Sequence, residues 1–149
     1  MKLHCAVDGG CVPNPGHGAV AYCLKDSLCA VLEKGGKELE GLCTNNQAEF
    51  EAVIWALETI VARYPDCQEL HIYSDSQLVV NILNGEWTIN RGGYATSAGE
   101  ALAMVIRLST ECKTVSVHWI PRERNNEAGE IAEKLARESQ NKKPEGWMF

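Results

Sequence analysis

Residues 44–75, TNNQAEFEAVIWALETIVARYPDCQELHIYSD, decide the architecture. Thr44 offers a hydroxyl N-cap, and Ala48, Ala52, Trp55, Ala56, Leu57 and Ile60 then recur at three- and four-residue steps up to about Arg63, which predicts a helix with one apolar face. Pro65 lies just past its end, and ELHIYSD (69–75) reads as a strand. A helix of this length feeding a strand is a crossover, and crossovers imply a mixed sheet with helices packed on it.

Upstream, KLHCAVD (2–8) predicts a strand ending at Asp8, followed by the turn formers GGCVPNPGHG. GAVAYCLK (18–25) and LCAVLEK (28–34), separated by Asp26 and Ser27, predict a β-hairpin, with Gly35-Gly36 as a turn or bulge beyond it. Downstream, Ser76 to Leu83 predicts a short helix stopped by Asn84-Gly85. A polar stretch from Trp87 to Gly99 leads into a helix from about Ala98 to Thr110. TVSVHWI (114–120) is a fifth strand ending before Pro121, and the last helix runs from Asn125 or Asn126 to about Ser139. The predicted order is βββ-α-β-α-α-β-α.

With 149 residues and 45% hydrophobic content the chain fits one domain, residues 1–140, and a tail, residues 141–149, whose Trp147, Met148 and Phe149 are apolar enough to dock. No stretch approaches the roughly 18 apolar residues of a membrane span, and the N-terminus reaches Asp8 too early for a signal-peptide apolar region. A soluble cytoplasmic protein is expected, acting as a monomer. The seven cysteines are odd in number and scattered, with no C-x-x-C, so reduced, packed thiols are expected, and a disulfide only if the source is a hyperthermophile. His4, His17, His71 and His118 have no cysteine at ligand spacing. A net charge of −6 excludes a protein that coats nucleic acid through bulk Lys and Arg, so any polyanion must be recruited by metal or local dipoles.

Chemistry is carried by Asp8, Glu49 and Asp75. The chain holds four aspartates against sixteen glutamates, and two of the four close apolar runs, where a short side chain suits a divalent cation. Taken singly, each has an ordinary reading: Asp8-Gly9-Gly10 a turn, Glu49 a solvated helix position, Asp75-Ser76 an N-cap, Asn45-Asn46 help for a helix start.

The ordered set DGGCVPNPG (8–16), TNNQAE (44–49), SDSQ (74–77) and WIPRERNNEA (119–128) resembles type 1 ribonuclease H, over almost the whole chain from Lys2 to about Arg137. The resemblance implies an α/β, ribonuclease H-like fold, a five-stranded mixed sheet flanked by α-helices. It also implies hydrolysis of the RNA strand of an RNA–DNA hybrid with Mg²⁺ or Mn²⁺, leaving 5′-phosphate and 3′-hydroxyl ends. Two ions about 3.5–4 Å apart need carboxylates around both, and Asp8, Glu49 and Asp75 match the catalytic, metal-holding positions. Cys11, Asn14, Asn45, Asn46 and Gln77 match nucleic-acid contacts, where neutral amides can hydrogen-bond 2′-hydroxyls and base edges without demanding a sequence.

The chain departs from the pattern at the start of the last helix, where the family's fourth carboxylate would stand and this sequence has Gly129. Glycine offers no ligand and costs roughly 0.5–1 kcal/mol in a helix relative to alanine. Three readings stand open: an introduced knockout, a tolerated natural variation with weakened binding of the second ion, or a stand-in. Asn126, one turn earlier on the same face, suits the stand-in role better than Glu130, about 100° away from position 129. An alternative function follows, a hybrid-binding module with little or no catalysis. Where some relatives carry a histidine before the last helix, this chain has Arg122 and Arg124, which cannot act as bases but can contact phosphate. His118 reads as a packed or edge histidine; Trp87 and Tyr94 read as stacking groups or as packing groups, both being open. The stretch Gly85–Gly99 holds only Arg91 as a cation and lacks the basic protrusion of some relatives, so weaker hybrid binding is expected.

Overall fold

The computed structural model describes residues 1–111 and 113–141, so Cys112 and nearly all of the expected tail lie outside the described residues. Five strands, β1 (Lys2–Val12), β2 (Gly16–Lys25), β3 (Val31–Cys43), β4 (Glu69–Ser74) and β5 (Thr114–Trp119), form one sheet in the order β3-β2-β1-β4-β5. β1–β2 and β2–β3 pair antiparallel, β1–β4 and β4–β5 parallel. The helices are α1 (Asn45–Arg63), α2 (Gln77–Leu83), α3 (Ala95–Thr110) and α4 (Asn126–Asn141), with a 3₁₀ turn over Arg122–Arg124. The predicted α/β architecture and element order are both present.

Strand alternation separates two layers. Leu3, Cys5 and Val7 of β1 and Val20, Tyr22 and Leu24 of β2 turn to one face and form the main core with Phe50, Val53 and Leu57 of α1, Ile82 of α2 and Ala101 and Leu108 of α3. Ala21, of opposite parity on β2, packs instead with Ala128 and Ala132 of α4, which therefore covers the other face. Thr44 caps α1 by accepting from Gln47 N (3.2 Å), and Ser76 caps α2 by accepting from Val79 N (3.2 Å), as their positions predicted. The six described cysteines are free thiols, and none of the described helices is long and apolar enough to cross a membrane.

Three expectations are corrected. β1 does not end at Asp8 but runs on to Val12, because Gly9 and Gly10 continue the ladder opposite Val20 and Ala19. A Cβ on Gly9 would stand 2.1 Å from the Ala48 carbonyl oxygen, so this residue is needed for the close approach of α1 to β1 rather than for a turn. Likewise Gly35-Gly36 lies inside β3, opposite Tyr22 and Ala21, where side chains would collide with the Tyr22 ring and with Ile131 and Leu135 of α4. Third, α3 begins at Ala95, three residues before the expected Ala98.

Candidate metal centre and its cleft

Parallel pairing brings Ala6 of β1 beside Tyr73 of β4, so two residues further on Asp8 and Asp75 come side by side at the same edge of the ladder. Glu49 reaches them from the second turn of α1 across Gly9, whose N–H donates to Glu49 Oε1 at 3.4 Å. The three side chains, distant in sequence, place carboxylate oxygens within 4.8 Å of one another. Asp8 and Asp75 are half-buried; Glu49 is 7% exposed and its Oε2 has no hydrogen-bond partner.

Such crowding works against ionisation. Burial first, then the charges of Asp8 and Asp75, push the Glu49 carboxyl well above the ordinary carboxylate range. Asp8 is also raised, chiefly by burial, with Glu49, the Gly9 N–H and the Arg122 guanidinium working the other way. The pair titrates as a unit. Glu49 Oε2 has no hydrogen-bond partner among the described residues, and an all-oxygen, acid-rich cluster with an orphaned buried ligand atom fits a hard divalent cation.

Asn125 is a component that sequence reasoning treats only as a cap. It is 2% exposed, and its Nδ2 donates to Val7 O (2.8 Å) and to Asp75 Oδ2 (3.0 Å), tying the end of α4 to β1 and to one of the acids. Its Oδ1 is buried without a partner. Trp119 Nε1 donates to the Asp75 carbonyl oxygen (3.2 Å), so Asp75 is held by both its side chain and its main chain. One turn after Asn125, Gly129 faces the acids: a Cβ there would meet Asp8 Oδ2 at 3.1 Å. Asn126 is exposed and lines the same cleft.

The cleft, about 590 Å³, runs from the acids along Gly10–Val12 and Asn45, with α4 as its far wall. At its β1 end Cys11, Asn14 and Asn45 form one hydrogen-bonded knot. Asn45 Oδ1 accepts from Cys11 N (2.9 Å) and from Cys11 Sγ (3.3 Å), while Asn14 Oδ1 accepts from Asn45 N (3.1 Å) and Cys11 Sγ (3.4 Å). Asn14, Asn45 and Asn46 are exposed. Gln77, exposed, opens α2 just past Asp75; Arg122 lines the cleft, while Arg124 is exposed outside that lining. Tyr94 stacks on Phe50 (5.8 Å) and belongs to the core; Trp87 is half exposed.

Comparison with known proteins accords with this geometry. The chain is 31% identical over 135 residues to Bifunctional protein Rv2228c of Mycobacterium tuberculosis, covering 89% of this chain and 35% of that one. It thus spans about a third of the length of that relative. It is 31% identical to Ribonuclease HI of Halobacterium salinarum over 131 residues, 88% of this chain and 62% of that one. The crystal structure of RNase H1 from that archaeon superposes with a TM-score of 0.81 at 30% identity, covering 93% of this chain and 99% of the other. LC11-RNase H1 in complex with an RNA/DNA hybrid superposes at 0.80 and 26% identity, covering 93% and 99%. Since the RNase H family model also matches from residue 2 to residue 141, across every strand and helix described above, the chain belongs to the RNase H family.

Proposed function

We propose that this chain is a metal-dependent endoribonuclease that hydrolyses the RNA strand of RNA–DNA hybrids. The observation that carries the reading is the convergence of Asp8, Glu49 and Asp75, with an unpartnered Glu49 oxygen, at the head of an open cleft. Mg²⁺ or Mn²⁺ held by these three residues would supply Lewis acidity to the scissile phosphate and an acidified water. The residues of the chain do the rest. Asn125 and Trp119 fix Asp75, and the Gly9 N–H orients Glu49. Arg122, whose charge already bears on Asp8, lies where it can contact phosphate. Asn14 and Asn45 commit their carbonyl oxygens to the knot around Cys11, which leaves their NH₂ groups as donors for 2′-hydroxyls and base edges; Asn46 and Gln77 extend the same surface. The solved hybrid complex of LC11-RNase H1 supports the substrate class. We read residues 1–140 as the catalytic domain, acting as a cytoplasmic monomer.

A second reading, a hybrid-binding module of little turnover, is favoured by one observation: position 129 faces Asp8 yet carries no carboxylate. One experiment tests both. A labelled RNA–DNA hybrid, duplex RNA and duplex DNA are incubated with Mg²⁺ and then Mn²⁺, using the wild-type chain, Asp8→Asn and Gly129→Asp. Hybrid cleavage that Asp8→Asn abolishes and Gly129→Asp raises supports the enzyme; equal cleavage by Asp8→Asn sinks the metal mechanism. Binding of the hybrid without cleavage at any metal level supports the module.

A further inference from the structure

Three of the four histidines of the chain, outside the acid cluster, meet on one patch of the sheet. His4 of β1 pairs directly with His71 of β4, and Tyr73 pairs with His118 of β5. All four rings project from the face that carries Asp8 and Asp75. The rings stack: His4 on His71 and His71 on His118, each with centroids 5.1 Å apart. His71 Nδ1 lies 2.8 Å from His118 Nε2, so these nitrogens share one proton and one of them presents a lone pair. On the far side of the His71 ring, Nε2 is buried without a hydrogen-bond partner. It lies 3.3 Å from Glu69 Oε2, close enough for electrostatic attraction but out of line for a hydrogen bond, and Glu69 is itself held by Lys2 Nζ at 3.4 Å.

A small turn of the His71 ring would let Nε2–H donate to that carboxylate, the arrangement that fixes the tautomer of a metal-bound histidine. We propose that His71 Nδ1 and His118 Nε2 form a two-histidine site for a d-block divalent cation such as Zn²⁺ or Ni²⁺, with Glu69 orienting His71 from behind. Imidazole prefers such ions, whereas the all-oxygen cluster prefers Mg²⁺ or Mn²⁺, so the two sites sort cations by chemistry. They are separate: His71 precedes Asp75 by four residues, about 13 Å along the strand. Two nitrogens at roughly 2.0–2.1 Å from a tetrahedral Zn²⁺ stand about 3.3 Å apart. The rings must therefore open by about half an ångström, and His118, being exposed, can move. Burial and the neighbouring His71 lower the His118 pKa, which keeps that ring neutral at neutral pH, as a ligand must be. With two protein ligands and the remaining positions open to water, the site is an exchangeable one.

The test uses the full chain with ¹⁵N-labelled imidazole rings, titrated with ZnCl₂ at neutral pH in excess Mg²⁺, with calorimetry alongside. Saturable, concerted shifts at His71 Nδ1 and His118 Nε2, with His17 unmoved, are expected. His71→Gln and His118→Gln should each weaken Zn²⁺ binding about tenfold or more, while Cys29→Ser, which removes the exposed thiol, should leave it unchanged. The proposal is overturned by rings that stay unshifted through millimolar Zn²⁺, by binding that survives both histidine substitutions, or by binding lost with Cys29. Because the ring shifts are read on the wild-type chain, a folding defect in a variant cannot mask the answer.

Discussion

β1 and β4 each carry two kinds of side chain on one face, four residues apart, and the two groups behave oppositely. At one end Asp8, Asp75 and Glu49 crowd like charges together with a buried oxygen left unsatisfied. At the other, His4, Tyr73, His71 and His118 pair ring to ring, His4 Nδ1 and Tyr73 OH being 2.8 Å apart and the His71–His118 pair equally close, with His71 Nε2 the buried nitrogen left without a partner among the described residues. The same pleat serves both, and the acids lie two residues beyond the last paired residues, Ala6 and Tyr73, so the side-chain direction does not make the difference. Burial of like charges does: the acid end crowds carboxylates, a strain that a bound cation would relieve, whereas the histidine end leaves one ring nitrogen, His71 Nε2, unpartnered.

The largest effect expected from breaking that contrast is at Asp8. Asp8→Asn removes one of three like charges, so cleavage of a hybrid should fall about 10³-fold or more, equivalent to roughly 4 kcal/mol of barrier. In EDTA the same variant should melt higher than wild type, because the strain is gone; each kcal/mol relieved is worth about 2–4 °C. A variant that loses cleavage and also melts lower in EDTA would mean that the acids stabilise the fold instead of straining it.

Next in size is Asn125. Asn125→Ala leaves the Val7 carbonyl unpaired in the interior and releases Asp75 Oδ2. A stability loss of about 1–3 kcal/mol is expected by denaturant melts, with Mn²⁺ affinity reduced about tenfold by calorimetry. Asn126→Ala, at an exposed position, should change stability by less than about 0.5 kcal/mol. If Asn126→Ala weakened Mn²⁺ binding more than Asn125→Ala, Asn126 would be the stand-in for the missing acid after all.

These two asparagines mark where the sequence is legible and where it is not. The helix 45–63, the strand 69–74 and their caps follow from local signals, because period and capping chemistry are written in adjacent residues. Asp8, Glu49 and Asp75 are legible through ordered motifs, and the structure brings them together. Gly9 and Gly36 mislead, since a glycine kept for the close approach of α1 or α4 looks the same in sequence as one kept for a turn. Asn125 is hidden for a related reason: its partners, Val7 and Asp75, lie 118 and 50 residues away. The one available signal is an asparagine beside a second asparagine where a single cap suffices. His118 reads in sequence as a packed or edge histidine; its stacking on Tyr73 and His71 depends on strand register, which no local pattern displays.

The smallest effect sharpens the comparison through pH, because the two ends should carry opposite signs. Glu49 and Asp8 have raised folded pKa values in the cation-free protein. Their contribution is therefore fully present below the unfolded carboxylate pKa, about 4.3 for Glu, and is lost as pH rises through the folded values. His4 and His118 have lowered folded values, burial being the first cause in each. Their contribution is present above the unfolded histidine pKa, about 6.5, and is lost as pH falls through the folded values. Both rings remain partly exposed to solvent, which screens the effect, so His118→Gln should flatten the acid limb of a melting-temperature profile by only about 1–2 °C. Asp8→Asn should flatten the alkaline limb by more, and adding Mn²⁺ should do the same in the wild type because a bound cation favours the ionised acids. A profile in which Mn²⁺ steepened the alkaline limb, or in which His118→Gln altered that limb instead of the acid one, would break the assignment of opposite signs to the two ends of the face.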